Sequence, residues 1–147
     1  MDDQQIVANL WSAIEAQQFD RALAYLASDF QLCGAAPTPL NSLQWLGVQR
    51  ALAAAMPDVT LNYALSGSSY GVVHGSIQLS GTHTQRLELR LPNVPRVPAT
   101  GKRITLPREK IDVAVERGRI TVIKVEQLPD SGLLGLLAQM GVALPYA

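Results

Sequence analysis

Gly71–Thr84 reads GVVHGSIQLSGTHT. Apolar and polar residues alternate along it. Val73, Ile77, Leu79, Gly81 and His83 fall on one side; His74, Ser76, Gln78, Ser80 and Thr82 fall on the other. Side chains of an extended chain point to opposite faces in turn, so the stretch predicts a half-buried strand that carries one imidazole inward at its far end. Just upstream, Leu61, Tyr63 and Leu65 alternate with Thr60, Asn62 and Ala64. With Ser66–Gly71 as the turn, the two runs predict an antiparallel hairpin.

Downstream, Leu91–Thr100 (LPNVPRVPAT) is proline-rich and reads as a loop or extended edge. Lys102–Glu116 then changes parity. Ile104 and Leu106 are even-numbered, whereas Ile111, Val113 and Val115 are odd. A regular strand cannot do this, so a bulge or bend is expected near Pro107–Lys110. Such irregularities re-aim side chains and often lie beside active sites. Asp112, between Ile111 and Val113, should point away from their side, to solvent or a dimer contact. Arg117–Gly118 turns into Arg119–Leu128, which is apolar on both faces and reads as a central strand. Asp130 or Ser131 starts a short C-terminal helix through about Met140.

Upstream of the strands the period is helical. Asp2 or Asp3 caps a helix to about Gln18, with Ile6, Leu10, Ala13 and Ile14 on one stripe. Asp20 caps a shorter helix, Arg21–Ala27, and Phe30–Cys33 reads as a short strand. Gly34–Leu40 is a proline-containing loop. Asn41 or Ser42 opens a third helix to about Met56, and Pro57 stops it. Trp45, near the start of that helix, either lines a pocket mouth or fills the core. Segregated helices and strands indicate an α+β fold.

The chain has 147 residues, 48% hydrophobic and 16% charged, with twelve basic and twelve acidic side chains. These figures predict one domain, 1–147, with a sizeable core and no general attraction to nucleic acid or an anionic membrane. The single cysteine, Cys33, excludes an intramolecular disulfide and reads as buried core. The start, MDDQQ, is acidic where a secretory signal is basic, and Leu133–Leu144 is too short to span a bilayer. A soluble, cytoplasmic protein is expected. His74 and His83 have opposite parity, so no metal site is expected. No phosphate-cradling glycine loop and no Gly-x-Ser-x-Gly elbow are present.

Four pieces in order carry a resemblance: Gly81-Thr82-His83-Thr84, Pro98-Ala99-Thr100-Gly101-Lys102, Arg117-Gly118-Arg119-Ile120, and Asp130-Ser131-Gly132-Leu133-Leu134 with Gln139-Met140-Gly141. Together they resemble the SnoaL-like polyketide cyclases of the nuclear transport factor 2-like superfamily, over almost the whole chain. The resemblance implies a cone-shaped α+β barrel. Its curved, mainly antiparallel sheet would wrap around three N-terminal helices, with a short C-terminal helix. It also implies a homodimer through the sheet and a cofactor-free pocket for a hydrophobic small molecule. In such cyclases an acid on the last strand, helped by a histidine, moves protons during an intramolecular aldol closure. A carboxylate removed from water gains a pKa suited to that work, and an imidazole needs little tuning.

On this resemblance His83 and Glu126 are the candidate catalytic pair. Glu126 matches the last-strand acid when counted back from Gly132; counting forward from Gly118 gives Val125 instead. The pocket is expected to be walled by Trp45, Leu61, Tyr63 and Leu79. The His-Trp pair that many members carry before the acid is replaced by residues drawn from Ile123, Lys124 and Val125, and Leu87–Val97 is an insertion whose Arg90 and Arg96 could cover the mouth. Those departures keep open a non-catalytic binding or dimerisation module on the same fold. A third reading is an epoxide hydrolase of the limonene type, since Arg86-Leu87-Glu88 resembles part of that site; the plainer alternative for Arg86 and Glu88 is a surface ion pair.

Overall fold

A computed structural model describes residues 1–142. The last five residues of the expected 1–147 domain lie outside the described residues, including the end of the apolar run at 133–144. The helix α1 (Asp3–Glu15) is capped by Asp2, whose side chain accepts from the Gln5 N–H at 2.8 Å. It is followed by α2 (Phe19–Leu23) and β1 (Leu26–Cys33). The third helix, α3 (Ser42–Ala55), opens on a capping box: Asn41 and Gln44 each accept the other's backbone N–H at 2.9 Å. The strands β2 (Ala64–Ser69), β3 (Val72–Ile77), β4 (Ser80–Thr82), β5 (Arg103–Thr105), β6 (Glu109–Glu116) and β7 (Arg119–Val125) precede α4 (Gly132–Gln139).

Five strands form one sheet in the order β1-β7-β6-β3-β2, with β1 parallel to β7 and the other pairs antiparallel. The central place of β6 and β7 follows from their sequence. Ile111, Val113, Val115, Ile120 and Ile123 are buried on the face covered by the helices, and α1 packs on β2 and β3 while α3 packs on β1.

The sheet is open and not closed into a barrel, which corrects that part of the expected fold. The reason lies within Gly71–Thr84. The strand breaks at Gln78–Leu79, and β4 leaves the main sheet to pair with β5 in a separate two-stranded sheet. The expected hairpin exists but sits further along the chain. Asn62 adopts a left-handed conformation, with φ 45, which separates an isolated bridge between Thr60 and Ser80 from the regular ladder that begins at Ala64. Tyr70 and Gly71 (φ 51 and 78) then close the two-residue turn that suits the twist of such a hairpin. At the other end of the sheet, β1 begins earlier than the expected Phe30, and α2 ends at Leu23 where a helix to Ala27 was expected. The chain is already extended at Leu26, which pairs with Ile120.

The parity change is real and has a location. Ile104 and Leu106 are buried on the even register; after Pro107–Arg108, Ile111, Val113 and Val115 are buried on the odd one. On the outer face, His74 and Asp112 are paired opposite each other, with Nδ1 and Oδ1 2.7 Å apart. Cys33 is only partly buried, not core.

Candidate active site

The cavity opens at the end of the sheet where β3, β6 and β7 meet the helices. Its walls come from Trp11 of α1, Trp45, Val48, Gln49 and Leu52 of α3, and Leu133 and Leu136 of α4. The floor comes from Ile77, Leu79, Leu106, Glu109 and Val125, with Leu61 beside them. About 70 Å³ is open to the centres of water-sized molecules. That is room for about five waters, or for one small ring. The lining is hydrophobic apart from Trp11, Trp45, Gln49 and Glu109, and it contains no basic residue.

Glu109 is the residue that the sequence reading missed. It is the first residue of β6 and pairs with Ile77 of β3. Its parity is that of Ile111 and Val113, so it faces inward. It is 4% exposed, and its Oε2 has no hydrogen-bond partner. Loss of water around the carboxyl, with repulsion from Glu126 second, raises its pKa to about 7. The signal was available: extending the odd register of Ile111, Val113 and Val115 back by one step reaches Glu109.

Glu126 lies on the opposite side of the sheet edge. Ile111 pairs with Val125, which puts Val125 into the cavity and turns Glu126 away from it. There Glu126 accepts from the Lys110 N–H at 3.3 Å, and its own N–H donates to the Lys110 carbonyl at 2.9 Å. Of the two counts, the forward one therefore marks the inward position, and Val125 occupies it.

His83 is fully buried but does not line this cavity. Its Nδ1 lies 2.9 Å from the Thr100 hydroxyl, its N–H donates to the Lys102 carbonyl at 2.9 Å, and its carbonyl accepts from Gly101 at 2.8 Å. These bonds join the end of β4 to the segment leading into β5. Burial lowers the imidazole's pKa, which favours the neutral ring.

Trp45, Leu61 and Leu79 line the cavity. Trp45 is also core: it packs against Phe30 with ring centres 5.5 Å apart. Tyr63 does not line the cavity; its hydroxyl is instead 3.0 Å from that of Ser12. Arg86 and Glu88 form an ion pair at 3.0 Å, which Arg96 joins at 3.5 Å, away from the cavity lining. That trio ties down the Leu87–Val97 insertion, which is also closed by two backbone bonds between Leu87 and Val97, both 2.9 Å. Leu91, Pro92 and Val94 of the insertion border a second, apolar groove. It shares Leu40 and Leu133 with the cavity. No group of His, Cys, Asp and Glu side chains placed to hold a metal occurs among the described residues. No described helix is long and apolar enough to cross a membrane.

Solved structures match this architecture over nearly the whole chain. A SnoaL-like polyketide cyclase from Agrobacterium tumefaciens matches with a TM-score of 0.65 at 14% identity, covering 96% of this chain and 99% of its own. The chain has the SnoaL-like fold. IdmH of Streptomyces antibioticus, assigned as a polyketide cyclase, matches with a TM-score of 0.68 at 24% identity, covering 97% of this chain and all of its own length. AclR of Streptomyces galilaeus, assigned as a hydroxylase, matches with a TM-score of 0.71 at 14% identity, covering 95% of this chain and 80% of its own. One fold thus carries different assigned activities, and the reaction has to be argued from the site. No family model matches the sequence, and a comparison with curated proteins gives no match.

Proposed function

We propose that this SnoaL-like chain is an acid–base catalyst of the cyclase or isomerase type, acting without a cofactor on a hydrophobic carbonyl compound, with Glu109 as the proton-transfer group. The observation that carries this reading is a carboxyl buried in an apolar cavity, with one oxygen unpartnered and a pKa near 7. Such a group takes a proton from carbon and returns it at the same pH, which is what enolisation and aldol closure both require. The neighbouring Glu126 contributes through its charge, which helps to raise the pKa of Glu109. His83 serves to hold the crossover between β4 and β5. A substrate longer than one ring extends past Leu40 and Leu133 into the groove under the insertion. The homodimer of this reading forms on the outer sheet face, where Val72, Ala114 and Val122 lie in one partly exposed row. The epoxide-hydrolase reading loses its support, because Arg86 and Glu88 neutralise each other outside the cavity.

The test needs no cognate substrate. Cyclohexanone in D2O loses its α-protons to solvent when a base removes them, and NMR reads the loss directly. The protein should accelerate this exchange. Glu109→Gln should reduce the acceleration at least about 100-fold, while Glu126→Gln should leave most of it. If wild-type protein gives no acceleration, acid–base catalysis fails, and the ligand-binding module on the same fold becomes the better reading.

A further inference from the structure

A second residue lining the cavity carries an orphaned polar group. Trp11 is 1% exposed, and its indole Nε1 has no hydrogen-bond partner. Trp11 lines the same cavity as Glu109, whose Oε2 is also unpartnered. Buried polar groups are normally satisfied, so two exceptions lining one small cavity call for an explanation. An indole N–H can only donate, whereas a carboxyl near its pKa both donates and accepts. What satisfies both is a ligand with an acceptor oxygen for Trp11 and a transferable proton for Glu109. The absence of any basic residue in the lining, with a carboxyl present, disfavours an anion.

We propose that Trp11 Nε1–H holds the carbonyl oxygen of a small, neutral, enolisable ketone whose α-carbon lies against Glu109. This assignment rests on the acid–base reading for its chemistry, though not for the binding itself. The ring of Trp11 is fixed in advance. It meets Trp45 edge to face, with centres 5.7 Å apart and planes at 87°. At the end of α1, Glu15 Oε1 accepts the Leu61 N–H and ties the helix to the segment entering the hairpin. In the reaction, the Glu109 carboxylate takes the α-proton. The C–H electron pair becomes the new C=C bond, and the carbonyl π pair moves onto oxygen, where the indole N–H stabilises the negative charge. Return of the proton to carbon restores both groups. A donor placed where charge develops strengthens its bond as the enolate forms, so Trp11 contributes more to the rate than to affinity.

Trp11→Phe keeps an aromatic ring but removes the N–H together with the fused five-membered ring, so a ligand without oxygen is needed to report the change in shape. Binding of cyclohexanone and of methylenecyclohexane, its shape-matched counterpart without oxygen, is followed by methyl shifts of the lining leucines. Wild-type protein should prefer the ketone. In Trp11→Phe the ketone should lose about 2- to 10-fold in affinity relative to the alkene. The exchange rate at saturating ketone should fall by at least about 10-fold. Equal changes for the two ligands, or no wild-type preference for the ketone, would each overturn the assignment. Glu109→Gln separates the two claims. If it retains the ketone preference and also exchanges at the wild-type rate, the acid–base reading fails while Trp11 remains the donor. If it retains the preference and loses exchange, both stand.

Discussion

Burial of Glu109 should leave a signature in stability as well as in chemistry. Its pKa rises from 4.5 to about 7 on folding, so the folded state holds a proton that the unfolded state has released. Stability therefore falls as pH rises from near 4.5 through 7, and the loss is complete above that. Full ionisation costs roughly 3 kcal/mol, and roughly 2.5 kcal/mol of this develops between pH 5 and 8. His83 works in the other direction: burial lowers its pKa, so its contribution is lost as pH falls below the ordinary imidazole range. The wild-type curve alone thus mixes two slopes. Subtracting the Glu109→Gln variant removes the histidine, and any fixed cost of the buried amide also drops out of the pH dependence. Urea unfolding at pH 5 and pH 8, followed by fluorescence of the buried Trp11 and Trp45, provides the measurement. The variant should gain about 2–3 kcal/mol on the wild type between the two pH values. A difference that does not change with pH would refute the reasoning, because it would place the Glu109 carboxyl in water.

Three further outcomes follow from the geometry. Glu126→Gln removes the charge that adds to the rise of the Glu109 pKa, so a carboxyl titration of Glu109 should shift downward, yet stay above 4.5 because burial is the larger cause. Gly34→Ala should cost more than about 2 kcal/mol in urea unfolding, since Gly34 has φ +98 and an added Cβ would lie 2.0 Å from the Val125 carbonyl oxygen. Asp58 accepts from the Thr82 N–H at 2.7 Å, the Thr82 hydroxyl at 2.8 Å and Arg103 at 3.1 Å, which hold its pKa below 3.8. Asp58→Asn should lower the melting temperature at neutral pH, and the difference should narrow in acid, below about pH 4, as the wild-type carboxylate is protonated.

The fold was legible where local chemistry agrees with tertiary structure. Asn41 with Gln44 marks the start of α3, and the parity change before Ile111 marks the break between β5 and β6. The split of Gly71–Thr84 was not legible, because Gln78–Leu79 continues the alternation unbroken while β4 turns to pair with β5. Nor does any local pattern record that β1 runs parallel to β7, since that pairing is made across the whole chain. For the site, the apolar walls at Trp45, Leu61 and Leu79 were readable as inward positions. The acid does not sit on the last strand, where the resemblance implies it. One residue of register there exchanges Glu126 for Val125, and the carboxyl that enters the cavity comes from the neighbouring strand.

The most direct test of this account is the titration of Glu109 itself, by the 13C shift of its side-chain carboxyl, assigned by comparison with Glu109→Gln. The account predicts a midpoint near 7, moving downward in Glu126→Gln. A midpoint at the ordinary value of 4.5 would contradict it, because the cavity would then hold no carboxyl poised to exchange protons at neutral pH.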